Sequence, residues 1–152
     1  MENHEPFLRE AIALSKSAME RGDEPFGSVL VKDGTVILRA ENSVFTGRDM
    51  TNHAELNLIK LAAQKYGAAF LTDCTLYTST EPCAMCAGAT VLARVKRLVY
   101  GADDPKAGYC GSLGDLVRDP RLNHRLEVER GVLAEECGAL LSGFFAQLRR
   151  ER

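Results

Sequence analysis

The chain has 152 residues, of which 45% are hydrophobic and 26% charged, and its formal net charge is −2. This length suits one domain that buries its own core, so we expect residues 1–152 to form a single domain. The net negative charge argues against a protein that holds nucleic acid through a large overall positive field.

The sequence lacks the features of a membrane or secreted protein. No apolar run approaches the roughly 18 residues that a membrane-spanning helix needs. The first ten residues, MENHEPFLRE, lack the basic and apolar segments of a secretory signal. We therefore expect a cytoplasmic protein with no membrane partner. Five cysteines, an odd number without dense spacing, are expected to be reduced thiols.

Helical and strand patterns alternate along the chain. Helices are predicted where apolar residues recur at helical spacing, and strands where short runs are rich in β-branched residues. The predicted helices are 5–21, 53–66, 83–93 and 133–149, and the predicted strands are 26–31, 35–40, 75–80, 97–101 and 125–129. An Asp33-Gly34 pair predicts an antiparallel hairpin between the first two strands. Residues 103–119 predict a long functional loop with a short helical piece.

This order of elements predicts an α/β fold, a mixed sheet with helices on both faces. Ligand sites in such folds lie where strands end and helices begin. Two motifs with metal-ligand residue types fall at predicted helix starts.

The first motif is TEPCAMC, which places Cys83 and Cys86 three positions apart directly after Pro82. Pro82 stands where proline suits the first turn of a helix. The spacing alone is compatible with a redox couple, a structural zinc knot or part of a catalytic metal site. A structural knot needs a second Cys or His pair, and the sequence offers no second C-x-x-C or H-x-x-x-H. The other two interpretations stay open on this motif alone.

The second motif is His53-Ala54-Glu55, which offers one more metal ligand and a general acid and base. Three protein ligands leave the fourth position of a zinc ion for water, whose pKa the ion lowers towards 7. A carboxylate beside that water can pass its proton to a leaving amine. Together the motifs favour a catalytic zinc site. A non-catalytic zinc-binding or thiol-redox module remains the alternative from another class.

The order H-x-E then P-C-x-x-C is the signature of the zinc-dependent nucleobase deaminases. With it, the chain resembles the cytidine deaminase-like superfamily in its purine branch. The resemblance implies a three-layer α/β/α fold with a five-stranded mixed sheet, and commonly a homodimer. It further implies one zinc per chain on His53, Cys83 and Cys86, with Glu55 as the proton shuttle. Asn42 matches the asparagine that contacts the base.

The two halves of the chain resemble different purine deaminases. The C-terminal half, with DPKAG from Asp104 and the Phe144-Phe145 pair, is similar to bacterial tRNA adenosine deaminases, which convert the wobble adenosine to inosine. The N-terminal half, with EPFGSV from Glu24, is more similar to guanine deaminases, which act on free bases. The implied partner is therefore a tRNA anticodon loop, or else a small purine base or nucleoside.

Three departures from the tRNA enzyme pattern bear on this choice. Met-Thr-Asn before His53 replaces Pro-Thr-Ala, Thr80 replaces a leucine, and Tyr109-Cys110 replaces two alanines. Tyr109 could cover a small base, narrow a polynucleotide channel, or only fill space in the loop. The residues expected to contact substrate are Asn42, Ala54, Pro82, Asp104, Lys106, Tyr109, Phe144 and Phe145. A phenylalanine pair in a terminal helix is more often part of a core or of a contact between two chains than of a substrate site.

Overall fold

The computed structural model describes residues 3–151, which form four α-helices, five β-strands and one short 3-10 helix. The α-helices are α1 (Glu5–Arg21), α2 (Ala54–Tyr66), α3 (Ala84–Leu92) and α4 (Ala134–Arg150). The strands are β1 (Gly27–Lys32), β2 (Thr35–Glu41), β3 (Thr75–Thr80), β4 (Arg97–Ala102) and β5 (Glu127–Glu129). Every predicted helix and strand is present, and no end is displaced by more than two residues. The 3-10 helix, Ala68–Asp73, was not predicted.

The five strands form one mixed sheet in the order β2-β1-β3-β4-β5. Strand β1 runs antiparallel to β2 and β3, whereas β3, β4 and β5 are parallel. Asp33 and Gly34 turn the β1–β2 hairpin with φ values of 51° and 75°. Glycine, and less often aspartate, tolerates this left-handed region, so the local sequence sets the turn of the hairpin. The strand register shifts between Leu30 and Val31.

Helices cover both faces of this sheet, as the sequence predicts. Successive strand side chains point to opposite faces, so Leu76 and Tyr77 enter two different cores. One core packs Leu76 against α2 and α3, and the other packs Tyr77 against α1 and α4. The helical members of the first core include Leu58, Ile59, Ala87 and Val91, and those of the second include Leu8, Ile12 and Cys137. The fold is three-layered α/β/α.

The predicted helical piece within residues 103–119 is wrong. In the described chain this segment consists of turns and isolated bridges and contains no helix. Its backbone amides at Asp104, Cys110 and Ser112 donate to the carboxylate of Glu81 instead of to helical carbonyls. The loop is therefore shaped by one distant side chain, which packs it beside the end of β3.

Candidate metal centre and substrate cavity

The three predicted metal ligands come together at the starts of two helices. His53 and Cys83 are the residues immediately before α2 and α3, and both have extended backbones. Cys86 lies in the first turn of α3. The Nδ1 atom of His53 is 3.5 Å from Sγ of Cys83 and 3.6 Å from Sγ of Cys86. One imidazole and two thiols from separate motifs thus face a common point.

This donor set fits a zinc ion. The three donor atoms lie within 4.8 Å of one another. Zinc bonds to nitrogen and sulfur of about 2.0–2.3 Å place neighbouring donors of a tetrahedral ion about 3.5–3.8 Å apart, as seen here. Within residues 3–151, no fourth protein ligand joins the cluster. Three protein ligands are typical of a catalytic zinc site, whereas structural sites are usually closed by four.

The protonation states of the three ligands differ, and one thiol is already in the form that binds a metal. A hydrogen bond from Cys86 lowers the pKa of the Cys83 thiol to about 4. A hydrogen bond with His53 lowers this pKa further, whereas burial raises it. The same bond to Cys83, together with burial, raises the pKa of Cys86. The hydrogen bond with Cys83 also raises the pKa of His53. One thiol is therefore already a thiolate, which is the form that binds a metal.

Glu55 lies in the first turn of α2, two residues after His53, and its side chain is buried. Burial raises the pKa of this carboxyl to about 7, against the opposing effects of its own backbone amide and of His53. A carboxyl that titrates near neutrality can both accept and donate a proton at physiological pH. Glu55, His53 and Cys83 line one cavity, so this proton acceptor and the metal cluster face the same space.

That cavity has a volume of about 200 Å³. Its wall also contains five residues that were not among the predicted site residues, namely Glu24, Phe26, Thr80, Glu81 and Ala107. A positional signal exists for two of them, because Thr80 and Glu81 stand at the carboxyl end of a parallel strand, where α/β sheets bind ligands. The wall combines carboxylates with aromatic rings, a composition suited to a flat base that carries N–H groups.

Of the predicted substrate residues in the C-terminal half, Asp104 and Phe145 line the cavity. Phe145 is 47% exposed, so its ring is available at the surface. Phe144 touches the ring of Phe145 but lines a neighbouring cavity with Phe45. Lys106 is exposed on the loop that carries Asp104.

Asn42 and Ala54 are both fully buried. The Nδ2 group of Asn42 donates to Glu24 at 3.4 Å, and its Oδ1 accepts from the backbone amide of Val44 at 3.1 Å. Asn42 therefore touches the cavity wall through Glu24. Ala54 begins α2 between His53 and Glu55, where its small side chain leaves both neighbours room to reach the cavity.

Tyr109 and Pro82 connect the loop to the metal centre. The Tyr109 amide donates to the Pro82 carbonyl at 2.9 Å. The Tyr109 ring lies over Gly114, where an added Cβ would be 2.5 Å from the ring. This arrangement fills space inside the loop. Pro82 is not in the first turn of a helix as predicted, because the extended Cys83 delays the start of α3 to Ala84.

Glu81 holds the loop against the site. Its carboxylate accepts from the amides of Asp104, Cys110 and Ser112 and from the Ser112 hydroxyl. Burial raises the pKa of Glu81, but these hydrogen bonds outweigh it and lower the pKa below its ordinary value. Because Asp104 lines the cavity, this buried carboxylate sets the shape of one cavity wall.

Comparisons with known proteins agree with this geometry. Residues 2–149 match the family of MafB19-like deaminases. The chain is 46% identical over 152 residues to a tRNA-specific adenosine deaminase of Bacillus subtilis (strain 168), covering 100% of this chain and 94% of that protein. A structure solved in a study of A-to-I editing by tRNA deaminases at the wobble position has a TM-score of 0.84 and 39% identity, covering 90% of this chain and 99% of that chain. The structure of guanine deaminase from Bacillus subtilis has a TM-score of 0.65 and 38% identity, and the match covers 97% of this chain and 95% of that chain.

Proposed function

Since the chain belongs to the MafB19-like deaminase family, we propose that it deaminates the wobble adenosine of tRNA to inosine by hydrolysis. The observation that carries this substrate is the 46% identity, over the whole chain, to a tRNA-specific adenosine deaminase. The site supports the chemistry, because a three-donor cluster and a buried carboxyl share one cavity.

One zinc ion per chain would be held by His53, Cys83 and Cys86. The support is the donor set, with one imidazole nitrogen and two sulfurs at distances that suit a tetrahedral ion. Zinc supplies a water of lowered pKa when it is bound. A redox couple is disfavoured, since both thiols share the imidazole of His53 and the chain belongs to a deaminase family.

Glu55 is proposed to move the proton. Its raised pKa, about 7, lets the carboxylate take a proton from the attacking water and return it to the departing amine. The backbone near Ala54 and Cys83, which lies beside the ligands, would orient the ring together with Asn42, which bonds to Glu24 of the cavity wall. Asp104 and Pro82 would shape the same wall from the loop side.

The anticodon loop would be held around the mouth of the cavity. A wobble-base enzyme must splay out single-stranded nucleotides and stack them on aromatic side chains. Phe145 is exposed and lines the cavity, with Phe144 beside it on α4. The exposed cations Arg149 and Arg150 near the end of α4, together with exposed Lys106 and half-buried Tyr109 of the loop, would meet phosphates and neighbouring bases.

A second candidate is the deamination of a free purine base or nucleoside, as in guanine deaminases. The 38% identity to guanine deaminase from Bacillus subtilis favours it, and so does Thr80, a polar residue in the cavity wall. The identity to the tRNA enzyme is higher, and this places the tRNA substrate first.

The proposed enzyme is a single domain over 1–152, cytoplasmic and homodimeric. A family match over residues 2–149 supports the single domain. Leu92 and Met50 are 87% and 75% exposed, and large apolar side chains of this kind are often covered at interfaces. None of the helices within residues 3–151 combines the length and apolar character needed to cross a bilayer.

An ammonia-release screen tests the function. Guanine, adenine, cytosine and their nucleosides are compared with an anticodon stem-loop that carries a wobble adenosine, and the same stem-loop with wobble guanosine is the control. We expect ammonia and inosine from the adenosine stem-loop alone. Turnover only of small molecules would move the assignment to the second candidate. Turnover of none, with a reducible disulfide and no bound metal, would favour a thiol-redox module.

A further inference from the structure

Thr80 is a buried polar residue of the cavity wall. It is the last residue of β3, and by strand alternation its side chain shares a sheet face with Leu76, the face that packs against α2 and α3. Thr80 is 4% exposed and lines the cavity together with Glu55 and Cys83. Its side chain is therefore buried next to the reacting centre.

The hydroxyl of Thr80 has no hydrogen-bond partner. Among the buried side-chain oxygen and nitrogen atoms of residues 3–151, it is the one atom in this state. The other hydroxyls of the strand nearby are paired, since Ser28 donates to Thr78 at 3.0 Å and Ser15 donates to Ser79 at 3.0 Å. Leaving a buried hydroxyl unpaired is unfavourable, so such a group is typical of a site that a ligand completes.

The rest of the wall indicates what the hydroxyl binds. Besides the metal cluster, the other polar side chains of the described wall are carboxylates, from Glu24, Glu55, Glu81 and Asp104. Glu81 already accepts four hydrogen bonds from the loop. The other carboxylates, which only accept hydrogen bonds when ionised, suit the amines and ring N–H groups of a base. An unprotonated ring nitrogen needs a donor instead. Thr80 supplies a neutral O–H donor on this wall.

We propose that Thr80 is a substrate-contacting residue whose hydroxyl donates to an unprotonated ring nitrogen of the purine in the cavity. This inference rests on the proposed function only in taking the ligand to be a purine. It holds whether the base arrives free or in an anticodon loop. If it is correct, Thr80 makes the protein bind a purine more tightly than an analogue that has C–H in place of that nitrogen.

The test compares three variants. Thr80→Val removes the hydroxyl and keeps the shape, Thr80→Ser keeps the hydroxyl, and Thr78→Val removes a paired hydroxyl two residues away on the same strand. Dissociation constants are measured by calorimetry for the wobble-adenosine stem-loop, for adenine and guanine, and for deaza analogues of each in which one ring nitrogen at a time is replaced by C–H. Urea unfolding of each variant is measured without ligand.

We expect Thr80→Val to weaken binding of the parent purine by about tenfold or more. One deaza analogue should bind the wild type and Thr80→Val equally, because the partner nitrogen is already missing. Thr80→Ser should restore binding. Without ligand, Thr80→Val should unfold at the same urea concentration as the wild type or a higher one. Thr78→Val should unfold earlier and bind with unchanged affinity.

Equal affinity of the wild type and Thr80→Val for every parent purine would overturn the inference. So would a loss of the same size for all deaza analogues, or a wild type that binds none of these ligands. Failure of the proposed function would give a different result. The protein would release no ammonia but would still bind purines through Thr80.

Discussion

Cys83 and Cys86 face the same imidazole, but their pKa values shift in opposite directions. The Cys83 thiolate, whose pKa is about 4, accepts a hydrogen bond from the Cys86 thiol, whose pKa is raised. The pair therefore holds one proton between two sulfurs near neutral pH. Binding of a metal to both sulfurs must release that proton, so acidification competes with metal loading.

Glu81 gives a prediction about pH. Its folded pKa is lowered, so it contributes stability that is complete above the pKa of the unfolded carboxyl, about 4.3. That contribution is lost as pH falls through the folded pKa. Glu81→Gln should unfold with a free energy about 2 kcal/mol lower than the wild type at pH 7, since it loses hydrogen bonds to a charged acceptor.

Urea titrations at pH 7 and at pH 4 and below measure this difference. The gap between the wild type and Glu81→Gln should narrow as the wild-type carboxylate protonates. Glu20→Gln is the matched control, because Glu20 is exposed on α1. A gap that stays constant with pH would mean that the hydrogen-bonded charge of Glu81 does not stabilise the loop.

The site residues differ in how visible they are in the sequence. His53, Glu55, Cys83 and Cys86 belong to short motifs at helix starts, where spacing alone places donors on one side. The roles of Thr80 and Glu81 depend on distant segments of the chain. The 103–119 loop donates hydrogen bonds to Glu81, whereas no hydrogen-bonding group within residues 3–151 reaches the Thr80 hydroxyl. The sequence therefore predicts the ligand set and part of the cavity wall, Asp104 and Phe145, but not the roles of Thr80 and Glu81.

The sequence predicts helices and strands well where local signals agree. Apolar periodicity and the Asp33-Gly34 turn fix α1 and the hairpin. The 3-10 helix Ala68–Asp73 was missed because six residues give too little periodicity. The helical piece within 103–119 was predicted wrongly because Glu81, not local hydrogen bonding, determines the backbone of that loop.

Gly27 lets β1 approach α1 closely, and this contact should affect stability. A Cβ at Gly27 would lie 2.5 Å from the Ala11 carbonyl oxygen and 2.5 Å from Leu14 Cβ. Gly27→Ala must therefore push the strand away from the helix, and we expect a loss of about 1–3 kcal/mol of unfolding free energy. Urea unfolding measures it.

Gly138→Ala is the control for this contact. Gly138 lies inside α4, and a Cβ there would meet no atom within 4 Å. Alanine is a better helix former than glycine, so this variant should gain up to about 1 kcal/mol. If Gly27→Ala and Gly138→Ala changed the free energy of unfolding equally, the close approach of α1 and β1 would not explain why residue 27 is glycine.

The metal centre joins parts of the chain that are distant in sequence. Cys83 and His53 are 30 residues apart and begin different helices. A bound ion would therefore stabilise the folded chain, which holds the preformed site, over the unfolded chain. Removing zinc with a chelator should lower the melting temperature by about 10 °C.

Differential scanning calorimetry with and without the chelator measures this shift. Cys83→Ser, which lacks one ligand, should show little or no shift with the same chelator. An equal shift in both proteins would mean that the chelator acts elsewhere. No shift in the zinc-loaded wild type would mean that the metal does not link the two helices.

Glu55 is the proposed proton carrier beside a metal that other residues hold. The most direct test of this role is to measure zinc content and deamination rate together in Glu55→Gln. We predict one zinc per chain, as in the wild type, and a rate about 10²- to 10⁴-fold lower. Turnover at the wild-type rate with zinc retained would contradict the mechanism.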